Sequence, residues 1–366
     1  MSAKPKKRFS GWNLIWIVPL IAVLALAVMM YVIPALEGVD RTEAGGSSDW
    51  MSHLSDDTPL SDVILPGTHD SATKFVQLAY FSKCQALSIG KQLEAGYRYL
   101  DIRLGADGDK LKLMHGFTNC TEGGFPWSNA LYLDNVLADC YSFLKAHPGE
   151  TVIFAVKQEH GDESVLQFER LLDGYISKNK DMWLHTSSVP TVGEARGKLV
   201  LMRRYQDEAA LGDRAGIPLI WPDQGGHDDV SLAAAAADNG SYTLTVQDRF
   251  EYGAADKWTA FTKGLTACET GDNSVLVNFL STKGTATYGH PYAFAKQLNA
   301  KLLDLSEDQL HGWVIVDFAS AKLAQHIYEV NFRRSQHDKQ KAQPHPGRAF
   351  SALFYQNPSS SFTRIT

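Results

Sequence analysis

Polar side chains able to transfer protons or bind anions stand within or just after seven short apolar runs of this 366-residue chain. They are His69, Asp70, Asp101, Arg103, His115, Lys157, Glu159, Arg204, Asp248 and Asp317. If the runs are parallel strands of an α/β barrel, their carboxyl ends meet at one rim, where such folds build their active sites. A solvated rim is also polar, so the prediction depends on how many runs end in this way.

This set of residues is suited to transfer at a phosphate. His69 and His115 can serve as base and acid, because an imidazole takes up and releases a proton near neutral pH. Asp317 and Asp70 can orient the imidazoles by hydrogen bonding. Arg103 offers a planar fork of donors to phosphoryl oxygens.

Other chemistries lack their residues in this sequence. Neither HExxH nor CxxC occurs, so the common zinc signatures are absent, and no metal site is predicted. No complete phosphate-cradling loop and no Gly-x-Ser-x-Gly elbow is present. The 35 basic residues do not outnumber the 41 acidic ones, which argues against a nucleic-acid partner.

Strands and helices are predicted to alternate along the chain. The predicted strands are 63–65, 99–104, 111–114, 151–156, 199–202, 217–220, 242–246, 275–280 and 313–316. The predicted helices are 130–147, 164–176, 292–305 and 320–332. This alternation favours a parallel sheet covered by helices, and a distorted (β/α) TIM-type barrel fits the strand number better than the alternative, a doubly wound sheet.

The N-terminus has the pattern of a membrane anchor. Residues 1–11 form a basic tail, and 12–34 are predicted to be a transmembrane helix, long enough for a hydrocarbon core of about 30 Å. The basic flank places the tail in the cytoplasm and everything after the helix outside the membrane. A cleaved signal peptide, which would give a secreted form, is the rival interpretation.

The rest of the chain is predicted to form one large domain. Residues 35–48 are polar and Gly/Ser-rich and indicate a flexible linker, 49–335 the catalytic barrel, and 336–366 a polar tail. The four cysteines are Cys84, Cys120, Cys140 and Cys268. A Cys84–Cys120 disulfide and free buried thiols are both compatible with the sequence.

Several motifs together resemble one enzyme family. Leu-Pro-Gly-Thr-His-Asp-Ser at 65–71, Asp-Ile-Arg at 101–103 and His-Gly at 115–116 are similar to the X-domain signature of bacterial phosphatidylinositol-specific phospholipase C. The similarity continues through 157–159, 204–205, 246–248 and 316–317 and covers roughly residues 50–330. It implies a distorted (β/α) barrel.

The resemblance also implies roles for individual residues. His69, partnered by Asp317, would remove the proton of the inositol 2-hydroxyl, and the resulting attack on phosphorus would give inositol 1,2-cyclic phosphate. His115, helped by Asp70, would protonate the departing diacylglycerol. Arg103 would bind the phosphate in place of the metal ion of calcium-dependent relatives, so no cofactor is implied.

Substrate binding is implied at further positions. Lys157, Arg204 and Asp248 would bind inositol hydroxyls, with Asp101 and Glu159 beside them. Phe250 stands where bacterial relatives stack a tyrosine on the sugar ring. The substrate would be phosphatidylinositol in a bilayer. The alternatives are another phosphodiester headgroup, such as a glycosylated inositol lipid or a lysophospholipid, and a catalytically silent lipid- or glycan-binding barrel.

Overall fold

A mainly parallel sheet forms the centre of the protein. The computed structural model describes residues 11–38, 46–225, 233–236, 243–267, 274–287 and 289–333. The strands are β1 (Leu65–Thr68), β2 (Tyr99–Asp107), β3 (Lys110–His115), β4 (Thr118–Asn119), β5 (Val152–Gln158), β6 (Trp183–Leu184), β7 (Leu199–Arg203), β8 (Ile217–Pro218), β9 (Ala233–Ala236), β10 (Thr243–Gln247), β11 (Ser274–Phe279) and β12 (Trp313–Val316). Nine of them follow one another along the sheet as β6-β7-β5-β2-β1-β12-β11-β10-β9, while β3 pairs with β2, β4 with β3 and β8 with β7.

Helices flank this sheet, and the N-terminal segment that precedes it is also helical. They are α1 (Gly11–Ala27), α2 (Ile33–Leu36), α3 (Ala79–Ser82), α4 (Ile89–Glu94), α5 (Leu133–Ala146), α6 (Val165–Lys178), α7 (Val192–Ala195), α8 (Ala254–Ala267), α9 (Pro291–Leu303) and α10 (Ala321–Tyr328). The four helices predicted from periodicity correspond to α5, α6, α9 and α10. Helix α8 was not predicted, because its few large apolar side chains are diluted by alanine, threonine and lysine.

The curvature of the sheet is that of a distorted barrel. β1 pairs in parallel with both β2 and β12, so the first and the last strand of the domain are neighbours. Alternate side chains of β5 belong to two different apolar clusters, with Ile153 and Ala155 in one and Phe154 and Val156 in the other. The sheet is therefore buried on both faces. The predicted barrel is confirmed, and the doubly wound alternative is wrong.

One strand runs against the predicted direction. β3 was predicted as a parallel strand, but it pairs antiparallel with β2, with Leu104 opposite Leu113. Gly108 has φ +63° in the tight turn between them, a left-handed conformation that glycine adopts without strain. β2 therefore extends beyond the other strands, and β3 returns to place His115 at the same end of the barrel.

A buried ion pair ties the start of β2 to the rest of the domain. Arg98 and Glu150 are both inaccessible to solvent, and Arg98 Nη2 lies 2.8 Å from Glu150 Oε2. Glu150 also accepts hydrogen bonds from the backbone N–H groups of Met51 and Ser52. Arg98 donates its remaining hydrogen bonds to backbone carbonyls, including that of Ser48.

Replacing Glu150 should be strongly destabilising. In Glu150→Gln the Arg98 guanidinium keeps its charge in a buried site without a counter-charge, which typically costs about 3–5 kcal/mol. Chemical denaturation should show this loss in the free energy of unfolding, whereas the exposed Glu94→Gln should change it little. Equal effects of the two substitutions would contradict the prediction.

The N-terminal helix projects from the domain. α1, a π-helical stretch (Val28–Val32) and α2 follow one another, and most of the described apolar side chains there are exposed. The segment Ile15–Leu36 has the length and composition of a membrane span, which a signal sequence near the N-terminus also has. Both interpretations made from the sequence therefore remain.

The predicted linker 35–48 is held at both ends. Residues 34–38 contact the barrel, as described below, and the Ser47 N–H donates to the Tyr328 hydroxyl at 3.0 Å. The part between them, 39–45, lies outside the described residues, as do the tails 1–10 and 334–366. The domain boundaries remain predictions.

Candidate active site

The register of two strands brings His69 and Asp317 together. Thr68 of β1 lies opposite Val316 of β12, so the residue after each strand emerges at the same height. His69 Nδ1 and Asp317 Oδ1 are 2.8 Å apart. Asp317 is almost completely buried, and burial, with the Asp70 carboxylate nearby, raises the pKa of Asp317 well above its ordinary value.

The hydrogen bonds of His69 define its tautomer. Arg103 Nη2 lies 2.8 Å from His69 Nε2, and because a guanidinium only donates, Nε2 must accept. Nδ1 therefore carries the proton and donates it to Asp317. Burial, together with the charge of Arg103, lowers the pKa of His69 well below its ordinary value. His69 is thus a neutral imidazole with its lone pair directed towards Arg103.

Arg103 is held by carboxylates on several sides. Asp101 lies two residues earlier on β2 and therefore on the same face, and its Oδ2 accepts from Arg103 Nε at 3.2 Å and from Nη2 at 3.1 Å. Asp70 Oδ2 and Glu159 Oε1 each lie 3.5 Å from Nη1. Burial alone would raise the pKa of Asp101, but the charges of Arg103 and Arg204 outweigh it and hold that pKa below its usual range.

His115 approaches the same space from β3. Its ring centroid lies 6.4 Å from that of His69. His115 Nδ1 is 2.7 Å from the carbonyl oxygen of Ser82, which accepts its hydrogen bond, and 3.5 Å from Asp70 Oδ2. Among the described residues, no hydrogen-bond partner approaches its Nε2. Ser82 could not be predicted from the sequence, because it acts through its backbone carbonyl, which every residue type has.

Asp70 directly follows His69 in the chain, and its carboxylate faces His115 and Arg103. Its backbone is left-handed, with φ 46°, a conformation that aspartate tolerates better than most residues. Its N–H donates to Asp101 Oδ2 at 3.1 Å. Burial raises the pKa of Asp70 to about 6 despite the positive charge of Arg103.

Ionisation of Asp70 should therefore make stability depend on pH. The folded protein binds this proton more tightly than the unfolded chain, so the contribution to stability is present at pH 4 and is lost as the pH rises through about 6. Asparagine does not titrate, so Asp70→Asn lacks this loss. The free energy of unfolding of the variant minus that of the wild type should therefore rise by on the order of 2 kcal/mol from pH 4 to pH 7.5. Denaturation curves at both pH values test this, and a pH-independent difference would contradict it.

A second group of polar residues continues the rim. Lys157 Nζ lies 2.7 Å from Glu159 Oε2, and the positive charges of Arg103 and Lys157 outweigh the effect of burial and lower the pKa of Glu159 to about 2. Arg204 Nη1 donates to Asp101 Oδ1 at 3.2 Å, and Arg204 Nη2 lies 3.9 Å from Asp248 Oδ2.

Trp221 also belongs to this second group, although it is not among the residues predicted from the sequence. The Arg204 guanidinium lies 3.9 Å from the centroid of the Trp221 ring, and Trp221 Nε1 donates to Asp248 Oδ2 at 3.3 Å. Trp221 stands in an irregular stretch after β8, without periodicity or a polar signal, so nothing in the sequence marked it.

Phe250 lies apart from the residues that contact Arg103. Its ring faces Gly225, where an added Cβ would approach it to 2.7 Å, and its carbonyl accepts from the Lys283 N–H. Its backbone N–H donates to the carbonyl oxygen of Asp248 at 3.0 Å, so Phe250 stands next to the second polar group.

The Cys84–Cys120 disulfide prediction is wrong. Both residues are free buried thiols, and so is Cys140, whereas Cys268 lies outside the described residues. Cys84 Sγ is 3.9 Å from His115 Nδ1, and burial raises the pKa of this thiol. Cys84 therefore packs as a neutral group behind the two histidines.

Two groups of potential metal ligands lie beside Arg103. Potential ligand atoms of His69, Cys84 and Asp317 lie within 4.8 Å of one another, as do those of Asp70, Cys84 and His115. In both groups the carboxylate already lies close to a histidine, and the fixed positive charge of Arg103 beside them disfavours a second cation. The arrangement suits an anion close to Arg103 better than a metal ion.

Fold and site together define a distorted TIM-like barrel with a histidine pair and a guanidinium at the carboxyl rim of its strands. Residues 57–205 match the family model "Phosphatidylinositol-specific phospholipase C, X domain". This part of the chain belongs to the phosphatidylinositol-specific phospholipase C X-domain family.

Two curated bacterial relatives are similar to most of the chain. The chain is 28% identical over 294 residues to "1-phosphatidylinositol phosphodiesterase" of Staphylococcus aureus (strain Newman), covering 74% of this chain and 88% of the relative. The Listeria monocytogenes protein of the same name is 26% identical over 307 residues, covering 78% and 85%.

The solved structures show the fold. A phosphatidylinositol-specific phospholipase C from Staphylococcus aureus superposes with a TM-score of 0.65 at 22% identity, over 77% of this chain and 98% of the other. The enzyme from Listeria monocytogenes gives a TM-score of 0.59 at 23% identity, over 78% and 98%.

Proposed function

We propose that this protein is a metal-independent phospholipase C that cleaves phosphatidylinositol to diacylglycerol and inositol 1,2-cyclic phosphate. The observation that carries the proposal is the meeting of two imidazoles and one guanidinium: ring centroids 6.4 Å apart, and Arg103 donating to the unprotonated nitrogen of His69. The similarity to bacterial 1-phosphatidylinositol phosphodiesterases supports the substrate class.

In the first half of the reaction, His69 acts as the general base. Nε2 takes the proton of the inositol 2-hydroxyl while that oxygen forms a bond to phosphorus. The imidazolium that results donates from Nδ1 to Asp317, 2.8 Å away, which stabilises the new charge. A lowered pKa keeps His69 unprotonated, and so competent as a base, at neutral pH.

In the second half, His115 acts as the general acid. The bond from phosphorus to the diacylglycerol oxygen breaks, and that oxygen takes the proton from His115 Nε2. The Ser82 carbonyl and the Asp70 carboxylate face the opposite nitrogen and so direct Nε2 towards the substrate. The cyclic phosphodiester retains one negative charge, so no further proton is required.

Arg103 stabilises the charge on the phosphoryl oxygens. Its three neighbouring carboxylates, those of Asp70, Asp101 and Glu159, fix its plane and keep it protonated, since they raise its pKa in spite of burial. A fixed cation close to the phosphate does the work that a divalent metal performs in other phosphoryl-transfer sites.

The second polar group binds the headgroup. Lys157, Arg204 and Asp248 offer donors and acceptors to inositol hydroxyls, and the Trp221 ring gives this side of the site an apolar wall. Phe250 supplies a ring without a hydroxyl. A glycosylated inositol lipid or a lysophospholipid is the alternative substrate.

The lipid is reached at a membrane surface. Phe117, two residues after His115, is 60% exposed, and the exposed rings of Phe125 and Trp127 are stacked 5.2 Å apart. Exposed aromatic side chains suit the interface of a bilayer. The protein is anchored in the cell membrane by its N-terminal helix with the barrel on the outer side, and a secreted form results if the helix is cleaved.

Radiolabelled phosphatidylinositol offered to the purified protein with chelator present tests the proposal. We expect labelled cyclic inositol phosphate and no loss of rate relative to buffer without chelator. Inhibition by the chelator would overturn the role of Arg103. Lipid binding without any turnover would instead support the silent binding barrel.

A further inference from the structure

The N-terminal apolar helix ends against the rim of the barrel next to the catalytic groups. Residues 34–38, here called the clasp, contact the segment that runs from α3 to Cys84. Lys83 is 6% exposed, and its Nζ donates to the carbonyl of Pro34 and, at 3.4 Å, to that of Glu37. Among the described residues, both of its hydrogen-bond acceptors thus belong to the clasp.

A second contact strengthens the attachment. His290 Nε2 lies 2.8 Å from Glu37 Oε1, and His290 Nδ1 lies 2.8 Å from the carbonyl oxygen of Tyr80. The His290 and Tyr80 rings are stacked with centroids 4.0 Å apart. Loss of the clasp would leave Lys83 buried without acceptors, which is costly for a charged group.

The neighbours of Lys83 in the chain support both catalytic histidines. The Ser82 carbonyl accepts the hydrogen bond of His115 Nδ1 at 2.7 Å. The Cys84 carbonyl accepts from the backbone N–H of Phe318 at 2.6 Å, and Phe318 directly follows Asp317, the partner of His69. A shift of Lys83 would therefore move the groups that hold His115 and, through Asp317, those that hold His69.

Phe318 links the clasp to Asp317 a second time. Its backbone has φ 49°, a strained conformation for a bulky residue that persists only where the surroundings impose it. Lys83 Nζ lies 5.8 Å from the centre of its ring, and a Cβ added to Gly38 would lie 2.4 Å from its Cδ1. The clasp is therefore packed directly against the residue that holds Asp317 in place.

We propose that the clasp and Lys83 couple the N-terminal membrane helix to the catalytic geometry, with Lys83 as a positioning residue for His115 and Asp317. The helix is then a working part of the enzyme and not a removable leader, and its partner is the lipid bilayer. Because the candidate span ends at Leu36, within the clasp, the rim of the site lies at the membrane face. This inference rests on the proposed phospholipase function.

The test uses the full chain in phosphatidylcholine vesicles with two substrates, phosphatidylinositol in the vesicle and dihexanoyl-phosphatidylinositol as a soluble monomer. Lys83→Met and Gly38→Val should each lower kcat on both substrates by about 10- to 100-fold, the effect of a small misplacement of catalytic groups. KM for the soluble substrate should stay nearly constant. Lys83→Arg, which keeps donors and charge, should restore most of kcat.

Two comparisons make the test specific. The exposed Lys91→Met is the matched control and should leave kcat unchanged. The double variant of Lys83→Met and Gly38→Val should have about the same kcat as either single variant, because both substitutions disrupt the same attachment of the clasp. Additive losses in kcat would overturn the proposal that they act through one contact. A loss confined to vesicle substrate would also overturn the proposal, because the clasp would then orient the domain without shaping the site.

Imidazole resonances of ¹⁵N-histidine-labelled protein separate the two hypotheses. They report the hydrogen bond from His115 to Ser82 without any turnover, and both variants should shift the signals of His115 but not those of the exposed His185. If the wild type cleaves no phosphatidylinositol, the proposed function fails while this measurement still decides on the clasp. Unchanged His115 signals in both variants would overturn the clasp.

Discussion

Alanine in place of His69 or His115 should lower kcat on phosphatidylinositol by about 10² to 10⁴, the usual worth of general acid–base catalysis. His69 loses the acceptor Nε2, and His115 loses the donor for the leaving oxygen. Neither residue forms part of the second polar group that faces the headgroup, so KM should change much less than kcat. The exposed His185→Ala is the matched control, and steady-state kinetics on all three variants measures the effect.

The pH profile gives an independent check on the same pair. Because burial and Arg103 lower the pKa of His69, the base stays unprotonated as the pH falls, and the acidic limb of kcat/KM should lie well below 6.5. His69→Ala should abolish that limb. Unchanged rates in both alanine variants, or a profile flat from pH 4 to 9, would contradict imidazole catalysis.

Arg103→Lys should cost about 10² to 10³ in kcat although the charge is conserved. A lysine ammonium is a point charge and cannot donate to Asp101 through two nitrogens, one of which also donates to His69, as the guanidinium does through Nε and Nη2. The loss should appear in kcat more than in KM, since the charge that Arg103 meets grows in the transition state.

Two controls accompany this substitution. The exposed Arg170→Lys should retain the wild-type rate. Added calcium should not rescue Arg103→Lys, because the lysine ammonium keeps a positive charge among the carboxylates that would have to bind the ion. Wild-type kcat in Arg103→Lys would show that charge alone suffices and that the fork geometry is irrelevant.

The barrel and the positions of most of its strands along the chain could be predicted, because buried parallel strands are continuously apolar and therefore visible in the sequence. The direction of β3 was missed, although the Gly-Asp pair at 108–109 is a recognised two-residue hairpin signal. Here a local turn preference overrode the strand–helix alternation that dominates the rest of the chain.

The site was predictable where side chains carry the chemistry and hidden where they do not. His69, Arg103, His115 and the carboxylates around them stand out by residue type. Ser82 acts through its backbone, and Trp221 belongs to an irregular segment. The attachment of the clasp depends on Lys83, which resembles any surface lysine until its burial is seen.

The overhanging pair β2 and β3 has a consequence for how the enzyme can be altered. The general base, His69, directly follows a strand of the barrel. The general acid, His115, lies at the end of β3, whose register is set by the two-residue turn at Gly108 and Asp109. Shortening that turn by one residue would rotate every side chain of the returning arm to the opposite side. His115 would then point away from the active site while the strands of the barrel kept their pairing. A change in this one loop could therefore remove the general acid and leave the general base in place.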